Sequence, residues 1–341
     1  MDGFVKISRY AGMREDLVQA GGGNSSFKIS EHRMLIKASG YQLADVTQTD
    51  GYAVVDPEII KERFLACQNL DALTEEDSKQ ILGDAFVEGK RPSIETFLHA
   101  ISGRYTLHTH SMVVNALACR KGGMDILQEL FPEALLVPYA TPGVELAKSY
   151  FKAYKAATGG SVFETVFLQN HGLVVCGESA DAVIKKTEEV TKTIEKYLKI
   201  NLVAYHDLTK VWALFPDKVL WKVTDENVLE TYRRFGEWQY TFCPDCVVFL
   251  GKKMLNLPET FDEKDVGVFS RQYGEPVLIR YGKALFILAD NVRKAMEIQS
   301  VLSFSAQVMA LNEGCECNLL SDNEQNHLLN WDAEKYRKSI K

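Results

Sequence analysis

The sequence predicts an α/β fold in more than one unit, and three observations carry that expectation. Short strand-like runs alternate with helix-like segments along the chain, and 341 residues exceed what a single hydrophobic core usually spans. The third is composition: 46% hydrophobic and 25% charged residues match an ordinary globular protein and exclude disordered, collagen-like and low-complexity classes.

Charge narrows the partners. The net charge is -7 and no long run of like charge occurs, so the electrostatic footprint for nucleic acid or an anionic membrane is missing, and a small molecule is the expected partner. Met1 to Lys6 contains no basic segment leading into an apolar stretch, and nowhere do eighteen apolar residues run together. A cytoplasmic location is expected. Seven scattered cysteines, an odd number in a chain this long, suit reduced thiols better than disulfide staples.

Taken in order, residues 2 to 20 show mixed helical spacing and end in the densest glycine stretch of the protein, Gly21-Gly22-Gly23-Asn24-Ser25-Ser26. Ser26 to Ile29 and Met34 to Lys37 read as a hairpin that stops at Ala38-Ser39-Gly40. Residues 57 to 89 alternate charged and apolar positions in a helical manner. Ser93, after Pro92, is the expected N-cap of a helix from Ile94 to Ser102, closed by Gly103. Tyr105 to His110 has strand character and Ser111 to Cys119 helical character. Strands are then expected at Ala134 to Tyr139, Thr165 to Gln169 and Leu173 to Cys176, with helices at Val144 to Ala157 and Ala180 to Ile200.

His108-Thr109-His110 carries the most chemistry, because residues i and i+2 of a strand project from one face and two imidazoles can then reach one ion. Alone, the pair also fits two half-buried histidines bonded to backbone. A third histidine, in Asn170-His171-Gly172, interrupts two apolar runs where a tight turn would present its side chain. Three imidazoles suit a catalytic zinc, which keeps a fourth position for water or substrate. Glu95, thirteen residues before His108, either complements a helix dipole or serves as general acid/base. His99 is a candidate extra ligand or, more simply, a core histidine. The glycine loop, Ala38-Ser39-Gly40 and Ser93 offer amides and small hydroxyls, the groups with which proteins hold phosphate, although glycine loops also simply turn. Cys243, Cys246, Cys315 and Cys317 lack zinc-knuckle spacing and read as free thiols, and the aromatics from Trp212 to Phe242 read as core.

Gly-Asn-x-Ser, the Ser-Gly loop, Pro-Ser-x-Glu, His-x-His, Pro-Tyr-Ala-Thr and Asn-His-Gly, in this order, resemble the class II aldolase/adducin family over residues 5 to 200. Within it the chain is most similar to the L-fuculose- and L-rhamnulose-phosphate aldolases and to the aldolase portion of bifunctional rhamnulose-phosphate aldolase/dehydrogenase proteins. The resemblance implies a three-layer α/β/α fold with a central, mainly antiparallel sheet in residues 1–205, leaving 206–341 as a C-terminal α/β extension. It implies Zn²⁺, or another divalent transition metal, on His108, His110 and His171, with Glu95 as acid/base. It also implies a substrate and phosphate pocket from Gly23, Asn24, Ser39, Gly40 and Ser93. The implied reaction is a lyase step on a hydroxy-keto sugar phosphate or related sugar acid through a metal-stabilised enediolate. Epimerase, decarboxylase or dehydratase chemistry on the same metal, and a non-catalytic adducin-like binding module, are the alternatives. A homo-oligomer, as a tetramer, is the implied assembly. Ile94 stands where fuculose-phosphate aldolase-like sequences carry a second serine, and no tyrosine between Lys121 and Leu130 can act as their proton donor.

The last third holds an echo. Val277 to Gly282, a second strand and a long helix resemble Val166 to Gly172 with its own succeeding strand and helix, and Tyr281 stands at the expected place of His171. Residues 206–341 are thus expected to include a degenerate repeat of the end of the first domain.

Overall fold

The computed structural model describes residues 1–158, 162–235 and 241–331. They divide into two compact units, Met1–Leu202 and Val203–Lys341. The first unit opens with α1 (Asp2–Gly12) and continues β1 (Asn24–Ser30), β2 (Arg33–Lys37), β3 (Tyr52–Val55), α2 (Pro57–Ala66), α3 (Glu75–Ala85) and β4 (Phe86–Gly89). Then come α4 (Thr96–Ile101), β5 (Tyr105–Thr109), α5 (Met112–Ala118), α6 (Gly123–Leu130), β6 (Leu135–Val137), α7 (Val144–Thr158), β7 (Thr165–Leu168), β8 (Gly172–Gly177) and α8 (Ala180–Leu198).

One sheet runs through this unit in the order β4-β3-β2-β1-β5-β8-β7-β6, antiparallel at every pairing except β6 with β7. Helices α2, α4 and α7 bury Phe64, Phe97 and Phe151 against Val166, Leu168 and Val174 on one face, with Phe64 stacked on Phe151 at 4.5 Å. On the other face α1 and α8 pack together and against the sheet, burying Phe4, Ile7, Val183, Val190 and Ile194. The unit is therefore a three-layer α/β/α fold with a mainly antiparallel central sheet.

The elements start where their caps allow. Asp56 accepts from Glu58 N ahead of Pro57, Thr74 and Asp77 close a reciprocal capping box on α3, and Ser179 accepts from Ala182 N at the start of α8. Several expectations need correction. The first helix ends at Gly12, not near residue 20; Gly12 lies so close to the Leu43–Ala44 backbone that a β-carbon would stand 2.1 Å from Ala44 N, and the chain continues from here as a loop. Residues 57 to 89 form two helices and then edge strand β4, whose register with β3 is set by Val54–Glu88. The helix itself begins at Thr96, two residues after Ile94, with Glu95 as its N-cap residue; Ser93, next to the Ala38–Pro92 pairing, caps the turn that leads into it, its Oγ accepting from Glu95 N at 3.3 Å and its carbonyl from Thr96 N.

A buried ion-pair cluster fixes the loop after α1. Arg14, with its side chain fully buried, bonds both oxygens of Asp16 at 2.7 Å and reaches Glu188 of α8 at 2.6 Å. The Asp16 backbone carbonyl accepts from Met112 N at 2.8 Å, so the loop is tied to the start of α5.

The second unit contains α9 (Val203–Trp212), β9 (Val219–Lys222), α10 (Glu226–Phe235), α11 (Pro244–Leu250), β10 (Leu255–Leu257), α12 (Glu263–Tyr273), β11 (Leu278–Tyr281), β12 (Ala284–Ala289), α13 (Val292–Leu311) and α14 (Asp322–Asn330). Its sheet order is β10-β11-β12-β9, with β10 parallel to β11 and the other pairings antiparallel. Its core joins Leu278, Leu285 and Ile287 of the sheet to Ala295, Ile298 and Leu302 of α13. Tyr281 does not take the place of His171: it pairs with Ala284 and closes the hairpin, as Leu168 does opposite Gly172 in the first unit. No helix among the described residues is long and apolar enough to cross a membrane.

Candidate metal centre

His108 lies in β5 and is fully buried, held in register between Asn24 of β1 and Val174 of β8. His110 comes just past the strand end, and His171 stands in the turn between β7 and β8, after Asn170 at φ +53°. Alternation along β5 and the neighbouring hairpin turn thus deliver three imidazoles to one point. Their ring centroids are 4.9 to 5.1 Å apart. Glu95, the residue opening α4, extends Oε1 to 3.5 Å from His108 Nε2 and 3.4 Å from His171 Nε2. One donor atom from each of Glu95, His108, His110 and His171 lies within 4.8 Å of all the others, and no other such group of histidine, cysteine or acidic side chains occurs among the described residues.

The polar atoms form a group that could hold a cation. His108 Nδ1 donates to Leu173 O at 3.2 Å, which turns Nε2 toward the cluster. Nε2 of His108 and of His110 are buried without a hydrogen-bond partner among the described residues, and 3.5 Å from Glu95 is too long for a good hydrogen bond. Unpaired buried donors or acceptors are costly, so inward-facing imidazole nitrogens of this kind fit a divalent ion. Burial lowers the His110 pKa to about 4, with the neighbouring His108 and His171 adding to the effect, so its ring is neutral at ordinary pH and able to ligate. Burial works to raise the Glu95 carboxyl, but His108 and then His171 outweigh it and hold the carboxyl well below its ordinary value.

Neighbouring groups support the ligands. Asn115 of α5 donates to His171 O at 2.9 Å. A β-carbon on Gly172 would stand 2.1 Å from Thr109 O, so only glycine lets the hairpin lie this close to β5. His99 is not in the cluster: its Nδ1 is 2.7 Å from Ser26 Oγ, and burial pushes it down to about 3.

The other residues singled out in the sequence form a flank beside β5. Asn24 pairs with His108 in register; its Oδ1 accepts from Ser25 N, while its buried Nδ2 has no partner among the described residues. Gly23, at φ +70°, packs where a β-carbon would meet Val18 and His108 O. Ser39 N bonds Arg91 O, which with the Ala38–Pro92 pairing sets the exposed Ser39 and Gly40 beside half-buried Ser93. Ser93 Oγ accepts from Glu95 N at 3.3 Å. Lys37, not singled out in the sequence, is buried and donates to Gly21 O, Ala38 O and Tyr41 O, clamping both small-residue loops, and burial lowers its pKa. A lysine ending a strand gives no sign of this in sequence.

Residues 3–198 match the family described as Class II Aldolase and Adducin N-terminal domain. Among curated relatives, "Uncharacterized oxidoreductase YuxG" of Bacillus subtilis is 27% identical over 209 residues, 57% of this chain and 29% of its own length. "L-fuculose phosphate aldolase" of Haemophilus influenzae is 30% identical over 125 residues, 33% of this chain and 55% of its own. The chain therefore spans less than two thirds of either relative. Among solved structures, the N-terminal class II aldolase domain of a conserved protein from Thermoplasma acidophilum is 25% identical at a TM-score of 0.49, covering 57% of this chain and 92% of that one. L-fuculose-1-phosphate aldolase from Thermus thermophilus is 19% identical at a TM-score of 0.37, covering 61% and 95%. By the extent of the family match, the chain belongs to the class II aldolase/adducin family.

Proposed function

We propose that this chain is a zinc-dependent lyase that cleaves or forms a carbon-carbon bond in a hydroxy-keto sugar phosphate or related sugar acid. The observation that carries this reading is the convergence of Glu95, His108, His110 and His171, with inward-facing imidazole nitrogens that nothing else in the described residues satisfies. His108, His110 and His171 are the proposed ligands. A divalent ion bound there supplies Lewis-acid polarisation of the substrate's carbonyl and adjacent hydroxyl.

The protein's own groups do the rest. Glu95 rests as a carboxylate, so it starts as a base, taking a proton from the substrate at the reacting carbon or hydroxyl and returning it later. Asn24 Nδ2 donates to an anionic group, with Gly23, Ser39, Gly40 and Ser93 completing that end of the site. The seven cysteines are all free thiols, which supports a cytoplasmic setting, and a homo-oligomer is the assembly we expect.

The test is metal content together with turnover on a panel of sugar phosphates and aldonates. His108→Ala and His171→Ala should lose both bound zinc and aldehyde release, and unaltered zinc content would refute the ligand assignment. Glu95→Gln should keep the metal yet slow proton exchange on a substrate analogue by about 10²- to 10⁴-fold. Product analysis separates aldol cleavage from epimerisation, decarboxylation and dehydration, and a protein without bound metal would point to a binding module.

A further inference from the structure

We propose that the C-terminal unit is a second copy of the metal-binding half of the first, in which the metal centre has been replaced by a fixed cation, Lys222. The succession α4-β5-α5-α6-β6-α7-β7-β8-α8 recurs as α9-β9-α10-α11-β10-α12-β11-β12-α13. Both sets of strands assemble in the same order and sense: β6 parallel to β7 as β10 to β11, then antiparallel through β8 to β5 as through β12 to β9. A shared strand-turn-strand-helix unit would explain part of this agreement. It does not fix nine elements and three pairings together.

Register fixes the correspondence residue by residue. Val137 pairs with Leu168 as Leu257 pairs with Tyr281, and a proline comes directly after Val137 and Leu257, at Pro138 and Pro258. Thr109 faces Leu173, one residue inside the hairpin end at Gly172, and Val223 N bonds Leu285 O, one residue inside Ala284. Gly177 stands three residues before the start of α8 and Ala289 three before α13, and the caps Ser179 and Asn291 each accept from the third residue of their helix.

On this register His108 corresponds to Lys222, because each stands four residues before the next helix and faces the corresponding strand, at Val174 or Phe286. His110 corresponds to Thr224. The turn holding His171 has three residues, Gln169 to His171, and its counterpart has two, Gly282 and Lys283, so the third ligand has no place at all. In the first unit the helix start meets the strand end through Glu95 and His108. In the second, the first turn of α9 meets the end of β9 through the ring of Tyr205, 4.7 Å from Lys222 Nζ. A cation over an aromatic face is attracted by the ring quadrupole. On the proposed reading of the first unit as a metal site, a positive charge at the site thus persists, carried by the chain itself, and this charge opposes entry of a metal ion.

Reversing the replacement tests the inference. With the carboxylate of Tyr205→Glu serving as the third donor in place of the absent third imidazole, the variant Lys222→His/Thr224→His/Tyr205→Glu should gain one equivalent of Co²⁺ or Ni²⁺ over the parent protein, seen by titration and by the Co²⁺ visible spectrum. The increment is read against the parent, so it is independent of whether the first unit binds zinc or turns over substrate. A variant that is folded by circular dichroism and gel filtration yet gains no ion would overturn the proposal. Should that variant not fold, Lys222→Met and Lys222→Arg decide: Met should lower the unfolding midpoint by a few degrees and Arg should restore it. A Met variant as stable as the parent would equally overturn it.

Discussion

Gly22 and His110 touch so closely that a β-carbon on Gly22 would stand 2.7 Å from His110 Nδ1 and 2.9 Å from Cε1. The glycine loop therefore sets the orientation of a proposed ligand. Gly22→Ala should tilt the ring away from the cluster and weaken zinc binding by about 10- to 100-fold, the range for loss of a group that orients a ligand. Chelator competition measures this, and an unchanged affinity would show that the loop does not orient His110.

Arg14 is the fully buried hub of the loop that leads to this glycine stretch. Arg14→Met removes the cation and strands Asp16 without its partner. We expect a stability loss of about 3–5 kcal/mol in urea unfolding, because a buried charge is left uncompensated. A loss below about 1 kcal/mol would mean that water reaches Asp16 readily.

His99 makes folding sensitive to acid. Its pKa is about 3 in the folded chain, through burial first and then His108, against 6.5 for the exposed group. Between these values the unfolded chain takes up a proton that the native chain refuses, so stability is lost as pH falls from 6.5 toward 3. Relative to His99→Gln, the wild type should lose about 1.4 kcal/mol per pH unit across that window. Parallel pH profiles for the two proteins would contradict the buried neutral imidazole.

Ile94 is 44% exposed and lies between Ser93 and Glu95. Ile94→Ser should alter stability by less than about 0.5 kcal/mol, as exposed substitutions usually do, while tightening inorganic phosphate binding severalfold through the added hydroxyl. Calorimetry with phosphate decides, and an unaltered affinity would remove residue 94 from any anion pocket.

The donors of the cluster were legible because each sits in a short-range pattern: His108 and His110 two apart on a strand, His171 in a turn between apolar runs, Glu95 beside Pro-Ser. What escaped the sequence depends on partners far along the chain. Arg14 meets Glu188 across 174 positions, and Lys37 gathers carbonyls from two loops. Local propensity also misled. Phe86-Val87-Glu88-Gly89 continues the charged and apolar alternation of α3, yet pairing with β3 makes it a strand. Ser93 has cap chemistry and its Oγ accepts from Glu95 N, but Ile94 and Glu95 form a turn and the helix starts only at Thr96. The echo in the last third was visible only around its hairpin, and a two-residue turn in place of three displaced Tyr281 from the alignment.

The imidazoles are carried by β5 and by the β7–β8 turn, which backbone pairing already joins at Thr109 and Leu173. Ordinary sheet formation therefore brings the proposed ligands together without calling on an ion. Stripping the ion should leave a folded apoprotein that reloads on simple mixing, so occupancy in the cell would track the free concentration of each competing metal rather than the history of synthesis.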